Sequence, residues 1–124
     1  LELFRSNRAD KAEFMNDHMV AFFKELAESL VEFGMLKLFF LDLDERPVAG
    51  IFCINYLSTM YLYNSGYDER FKSLSVGLFG KLLSIRDSIR SGMRAYDFLK
   101  GAEAYKRRLG GQPVQLYRCL IELT

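Results

Sequence analysis

The stretch "LKLFFLDLDERPVAGIFCINYLSTMYLYNSGYD", residues 36–68, constrains this chain most. Two apolar runs flank Asp44-Glu45-Arg46-Pro47, a tetrapeptide of turn residues. A third run, "TMYLYNSGYD", is aromatic and alternating. The pattern predicts a three-stranded antiparallel meander with strands at 36–43, 48–57 and 59–65.

Helical periods lie on both sides of it. Met15, Met19, Phe22, Leu26, Leu30 and Phe33 recur at three- and four-residue spacing, which predicts one apolar helix face. Asn16 or Asp17 suits its N-cap, and Gly34 a left-handed C-cap. His18 reads as a surface or packing residue of this helix. A shorter helix is expected around Ala9–Met15. Past the meander a second helix is predicted from Ser73 to Ser91, with Leu74, Leu78, Leu82, Ile85 and Ile89 on its apolar face and Gly92 at its end. Gly77 and Gly80 lie in its first two turns. Each costs about 1 kcal/mol relative to Ala, so the pair implies a close approach of something to the backbone. A strand at 95–99, a short helix at 102–109 and a strand at 113–123 complete the order.

Composition narrows the function classes. The chain has 124 residues, half of them hydrophobic and 27% charged, which suits one globular domain. A formal net charge of +1 argues against nucleic-acid binding by bulk charge. No apolar run approaches the roughly 20 residues of a membrane span, and the polar first segment is no secretory signal. Cys53 and Cys119 are far apart in apolar runs and read as reduced core thiols. One His and no Cys/His cluster leave a metal site unsupported.

The order of elements, three strands followed by α-β-α-β, resembles the GNAT acyltransferase superfamily. The resemblance implies an α/β fold of the α+β kind, with a mixed central sheet flanked by helices. It also implies a splayed strand pair that admits an acyl donor, acetyl-CoA or another acyl-CoA, as co-substrate. The donor's pyrophosphate would sit on the N-terminus of the helix after the meander, where free N–H groups and the helix dipole attract phosphate. Lys72-Ser73-Leu74-Ser75-Val76-Gly77 resembles the superfamily's Arg/Gln-x-x-Gly-x-Gly/Ala loop, with Lys and Ser replacing its first two fixed residues. Lys72, Ser73, Ser75, Val76 and Gly77 are the donor-binding candidates on that basis. The backbone at Tyr63 and Asn64 would polarise the thioester carbonyl. The alternative for the loop is a Ser-capped helix with an incidental glycine.

The stretch "FFKELAESLVEFGMLKLFFLDLDERPVAGIFCINYLSTMYLYNSGYDERFKSLSVG" resembles the bacterial acetyltransferase family associated with cellulose biosynthesis. That family's signature is like D-F-L-R-G-D-E-P-Y-K. Here it reads Asp97-Phe98-Leu99-Lys100-Gly101-Ala102-Glu103-Ala104-Tyr105-Lys106, with Ala102 for Asp and Ala104 for Pro. The family is similar to the Fem-type aminoacyl transferases, tandem GNAT-like proteins that use aminoacyl-tRNA. Tyr105-Lys106-Arg107-Arg108-Leu109-Gly110 fits their aromatic-Lys-x-x-[FL]-G pattern.

The resemblance implies roles, and each residue keeps a plainer alternative. Tyr105 would protonate the leaving thiolate, or pack its ring on the sheet. Lys106 would stabilise the oxyanion or hold donor phosphates, or stand in solvent beside Arg107 and Arg108. Glu103 would be the general base, or a first-turn acid on the helix dipole. Asp97 and Lys100 would meet the acceptor, or serve a turn. The expected activity is direct acyl transfer to an amine or hydroxyl in polysaccharide or cell-envelope biosynthesis. No Ser-His or Cys-His pair supports a covalent nucleophile. The alternatives are a non-catalytic partner half of a tandem protein and a tRNA-dependent transferase, the latter less favoured. The chain starts at a Leu amid mid-protein sequence, so residues 1–124 are expected to be one GNAT-like domain, the C-terminal half of a tandem protein. A preceding GNAT-like domain or a homodimer partner and a cytoplasmic location are expected with it.

Overall fold

The protein's structure, a computed structural model, describes residues 2–5 and 17–124. The expected helix at Ala9–Met15 and the cap at Asn16 lie outside the described residues. The described elements are α1 (Glu2–Arg5), α2 (Asp17–Glu32), β1 (Leu36–Leu43), β2 (Arg46–Tyr56), β3 (Thr59–Tyr67), a 3-10 turn (Glu69–Leu74), α3 (Val76–Arg90), β4 (Ala95–Asp97) and α4 (Ala104–Arg108). The sheet order is β1-β2-β3-β4, antiparallel across the meander and parallel between β3 and β4.

The meander forms as its pattern predicts. Asp44-Glu45 and Leu57-Ser58 are two-residue turns with positive φ at both positions. Such turns twist in the same sense as the strands they join. β2 carries the core and is buried from Val48 to Cys53. On one side Phe52 packs with Phe4, Phe23 and Leu30. On the other, Ile51 and Cys53 pack with Met60 and Leu62.

Met19, Leu26 and Leu30 of α2 pack on the core as the period predicts, but other positions depart from it. In α2 it is Phe23, not Phe22, that is buried, and Phe33 is 74% exposed. In α3 the buried residues are Val76, Gly77, Gly80, Ser84 and Ser88. The expected apolar markers Leu74, Leu82 and Ile89 face water instead. The glycines give the reason. A Cβ on Gly77 would lie 2.8 Å from Cδ1 of Tyr67, and one on Gly80 would lie 3.3 Å from Cδ1 of Ile51. The close approach inferred from their cost is therefore that of the sheet. The helix presses its small-residue stripe onto the sheet, and Phe79, Leu82 and Ile89 point out.

The last elements are shorter than expected. Leu99 at φ 61 stops the chain from extending β4. The expected strand at 113–123 does not form. Residues 112–124 have no helix or strand and are exposed throughout. Alternating apolar residues mark a segment that suits a strand, but a ladder also requires an edge to accept it. β4 is three residues long and offers little edge. Cys119 lies in this exposed tail and so is not a core thiol, whereas Cys53 is buried.

Burial pushes the Cys53 thiol up to about 12, against a hydrogen bond from Tyr96 that lowers it. At pH 8 a thiol reagent is therefore expected to label Cys119 within minutes and Cys53 on the order of a thousandfold more slowly, until denaturant is added. Mass spectrometry of the labelled peptides measures both rates. Gly77→Ala is expected to lower stability by about 1–3 kcal/mol in urea denaturation, because the Tyr67 ring must move. Gly80→Ala is expected to cost less, since its tightest new contact would be 3.3 Å, with Cδ1 of Ile51.

Candidate active site

β3 and β4 pair only from Thr59 to Tyr61, opposite Ala95 to Asp97. Beyond that point β3 runs on to Tyr67 while the chain after β4 turns away, so the two strands splay. A cavity of about 340 Å³ lies in the gap. β3 lines it with Leu62, Tyr63, Asn64, Ser65 and Tyr67, and α3 with Lys81. The β4–α4 segment closes it with Phe98, Leu99, Lys100, Glu103, Tyr105 and Lys106.

Two local irregularities shape the gap. Phe52 pairs with Asn64 and Cys53 with Leu62, so Tyr63 is an extra residue, a bulge in β3. A bulge frees the backbone from the ladder and re-aims it. The Tyr63 ring packs edge-on to Phe23, with centroids 5.7 Å apart. Asn64 turns its side-chain oxygen to the Ser65 N–H at 2.9 Å. The second irregularity is Ser75, whose left-handed conformation separates the 3-10 turn from α3. The sequence reads this stretch as one helix from Ser73, but the helix starts at Val76. The Ser75 side chain makes no capping bond. The Phe79 N–H bonds the Ser75 carbonyl, which leaves the N–H groups of Val76, Gly77 and Leu78 without helical acceptors. Ahead of this turn, hydrogen bonds from Arg70 hold the Asp68 carboxyl below the usual carboxylate range.

The donor-binding candidates fall in two places. Tyr63 and Asn64 line the cleft. Lys72, Ser73 and Ser75 are exposed around the turn, and Val76 packs its side chain against Val48 and Ala49. None of the five loop residues lines the cavity. Tyr67 links the two regions, since it borders the cleft and packs on Gly77.

The signature segment is built around Lys106. Lys106 is only 8% exposed. Its Nζ donates to the carbonyls of Leu99, Lys100 and Gly101 at 3.3, 3.0 and 3.1 Å and pairs with Glu103 at 2.8 Å. The ammonium thus ties the turn after β4 to α4. Asp97 accepts the Leu99 N–H at 2.7 Å, which makes it a turn acceptor at the strand end, outside the cavity lining. Lys100 lines the cavity from an exposed position. The Tyr105 ring packs against Phe98, with centroids 6.2 Å apart, while the residue borders the cleft. Ala104 is the first residue of α4, after Glu103 at the N-cap. Proline suits that position, which accounts for the Pro in the signature.

Three groups near the cleft escape the sequence reading. Lys81 stands over Tyr105, its Nζ 4.2 Å from the ring centroid. Ser84 bonds the Tyr96 hydroxyl at 2.8 Å. Burial is the main cause that raises the Tyr96 phenol above its ordinary range. The signal available was spacing: Lys81, Ser84 and Ser88 follow Gly77 at four-, three- and four-residue steps, on the glycine side of α3.

A splayed β3–β4 pair, a bulge at its fork and an uncapped helix N-terminus beside it describe a domain of the acyl-transferring kind. The sequence matches the acetyltransferase (GNAT) domain family over residues 1–107, and the chain belongs to that family. A similar fold occurs in an aminoglycoside acetyltransferase from an uncultured soil metagenomic sample, solved in complex with sisomicin. The TM-score is 0.52 at 17% identity, over 78% of this chain and 74% of that one. A search of curated proteins finds no significant match. Among the described residues, no helix is long and apolar enough to cross a membrane.

Lys106→Met removes the one donor shared by three carbonyls together with the ion pair to Glu103. It is expected to lower stability by about 2–4 kcal/mol in urea denaturation. Arg107→Ala, at an exposed site on the same helix, is expected to stay within about 0.5 kcal/mol.

Proposed function

We propose that the domain transfers an acyl group from an acyl-CoA, acetyl-CoA in the simplest case, directly to an amine or hydroxyl. The observation that carries this reading is the splayed cleft, with the Tyr63 bulge at its fork and the open N-terminus of α3 beside it. Backbone N–H groups at Tyr63 and Asn64 polarise the thioester carbonyl. The N-terminus of α3 receives the pyrophosphate, with Lys72, Ser73 and Ser75 around it. The acceptor nitrogen attacks the carbonyl carbon and the C–S bond breaks. Tyr105 gives its proton to the leaving thiolate, and Glu103 takes one from the acceptor. Lys100 meets the acceptor at the rim, and Asp97 shapes the turn that carries it. Lys106 holds the rim on which these groups sit.

The likeness to the cellulose-associated and Fem-like families supports a role in polysaccharide or cell-envelope biosynthesis. Acyl-CoA as donor implies a cytoplasmic site of action. The outward Leu74 of the 3-10 turn and Phe79, Leu82 and Ile89 of α3 favour a covering partner, either a preceding GNAT-like domain or a second copy. A second reading, a non-catalytic partner half, is favoured by one observation: Glu103 and Lys106 satisfy each other.

The test mixes the protein with acetyl-CoA and a panel of small amines and follows thiol release. Acetyl-CoA is expected to raise Tm. Tyr105→Phe is expected to cut turnover about 100-fold or more without changing Tm. If acetyl-CoA neither shifts Tm nor releases thiol, the acyl-transfer reading fails. Thiol release by the natural protein that Tyr105→Phe leaves unchanged removes Tyr105 from the mechanism.

A further inference from the structure

Among the described residues, one cation of the cleft has no hydrogen-bonded or ion-paired anion. Lys81 sits on α3 one turn after Gly77 and reaches into the cavity above the Tyr105 ring. Among the described residues none hydrogen-bonds or ion-pairs with its ammonium, so the ring face is its partner. Lys106 differs, because three carbonyls and Glu103 already engage it. Lys100 adds a third positive charge at the exposed rim. The cavity lining therefore sets three lysines against one carboxylate, and that carboxylate is held by Lys106.

A half-buried ammonium without an acceptor weakens folding. Burial accordingly lowers the Lys81 pKa, while the charge of Glu103 pulls it the other way. A cation–π contact offsets part of the loss of water. An anionic oxygen in the cavity would offset the rest, and a second cation would add repulsion.

We propose that Lys81 is an anion-binding group of the cleft, seating a phosphate or carboxylate oxygen of the ligand, so that the domain accepts acidic ligands and rejects polycationic amines. The proposal rests on the acyl-transfer reading only for the source of the anion. A phosphate and a carboxylate on the acceptor offer the same chemistry.

Isothermal titration of the natural protein with inorganic pyrophosphate, succinate, acetyl-CoA and sisomicin tests it, repeated on Lys81→Met and Lys81→Arg. Pyrophosphate or succinate is expected to bind, at least tenfold more weakly in Lys81→Met and within about threefold of the natural protein in Lys81→Arg. Loss with pyrophosphate identifies a phosphate ligand, and loss with succinate a carboxylate. Lys81→Met is expected to melt at or above the natural Tm, since it removes a desolvated charge. Absence of binding by both small anions overturns the proposal, as does undiminished binding in Lys81→Met or tighter binding of sisomicin than of either anion. Lys81-dependent anion binding without acetyl-CoA binding would refute the acyl-transfer reading and leave the anion site standing.

Discussion

The close contact of α3 with the sheet sets the geometry of the rest. Gly77, Gly80, Ser84 and Ser88 have little or no side chain, so the helix axis comes near to β2 and β3. That proximity brings the uncapped helix start beside Tyr67 and places Lys81 over Tyr105. Larger side chains on this stripe would lift the helix and open the cleft. The cost of two helical glycines is offset by the close packing on Tyr67, Ile51 and Ala49 that they allow.

The second constraint is the break in the β3–β4 ladder. Three paired residues join the strands, and Leu99 then turns the chain away. A splay of this kind exposes peptide groups that need partners. Lys106 supplies them on one side by gathering the carbonyls of Leu99, Lys100 and Gly101. On the other side, the Tyr63 bulge takes its backbone out of regular pairing at the cavity border. The residues of the signature segment thus divide their work. Lys106 and Asp97 hold the turn, while Tyr105, Glu103 and Lys100 border the space.

The legible parts of the fold were the local ones. The meander could be read from Leu36 to Tyr67 because alternation and turn residues are set by neighbours in sequence. The split of the expected helix at Ser75 was hidden, because a left-handed serine leaves no mark in an apolar period. The face of α3 was misread because apolar spacing was followed, while the sheet took the small residues. The strand expected at 113–123 failed because an alternating pattern names no partner edge. Of the candidate site residues, Tyr105, Lys106, Glu103, Lys100, Tyr63 and Asn64 border the cleft, whereas Asp97, Lys72, Ser73, Ser75, Val76 and Gly77 do not. Lys81 stayed hidden because a lysine in a helix looks the same whether it faces water or a cavity.

By itself the sequence determined the meander and its hairpins, the presence of two long helices and the glycine pair that demands close contact. These follow from spacing and from the conformational limits of single residues. Only the tertiary structure decided which face of α3 meets the sheet, where β3 and β4 part, and which lysine is engaged and which is open. Each of those depends on groups far apart in sequence and close in space, where desolvation and hydrogen bonding to a particular partner outweigh local preference.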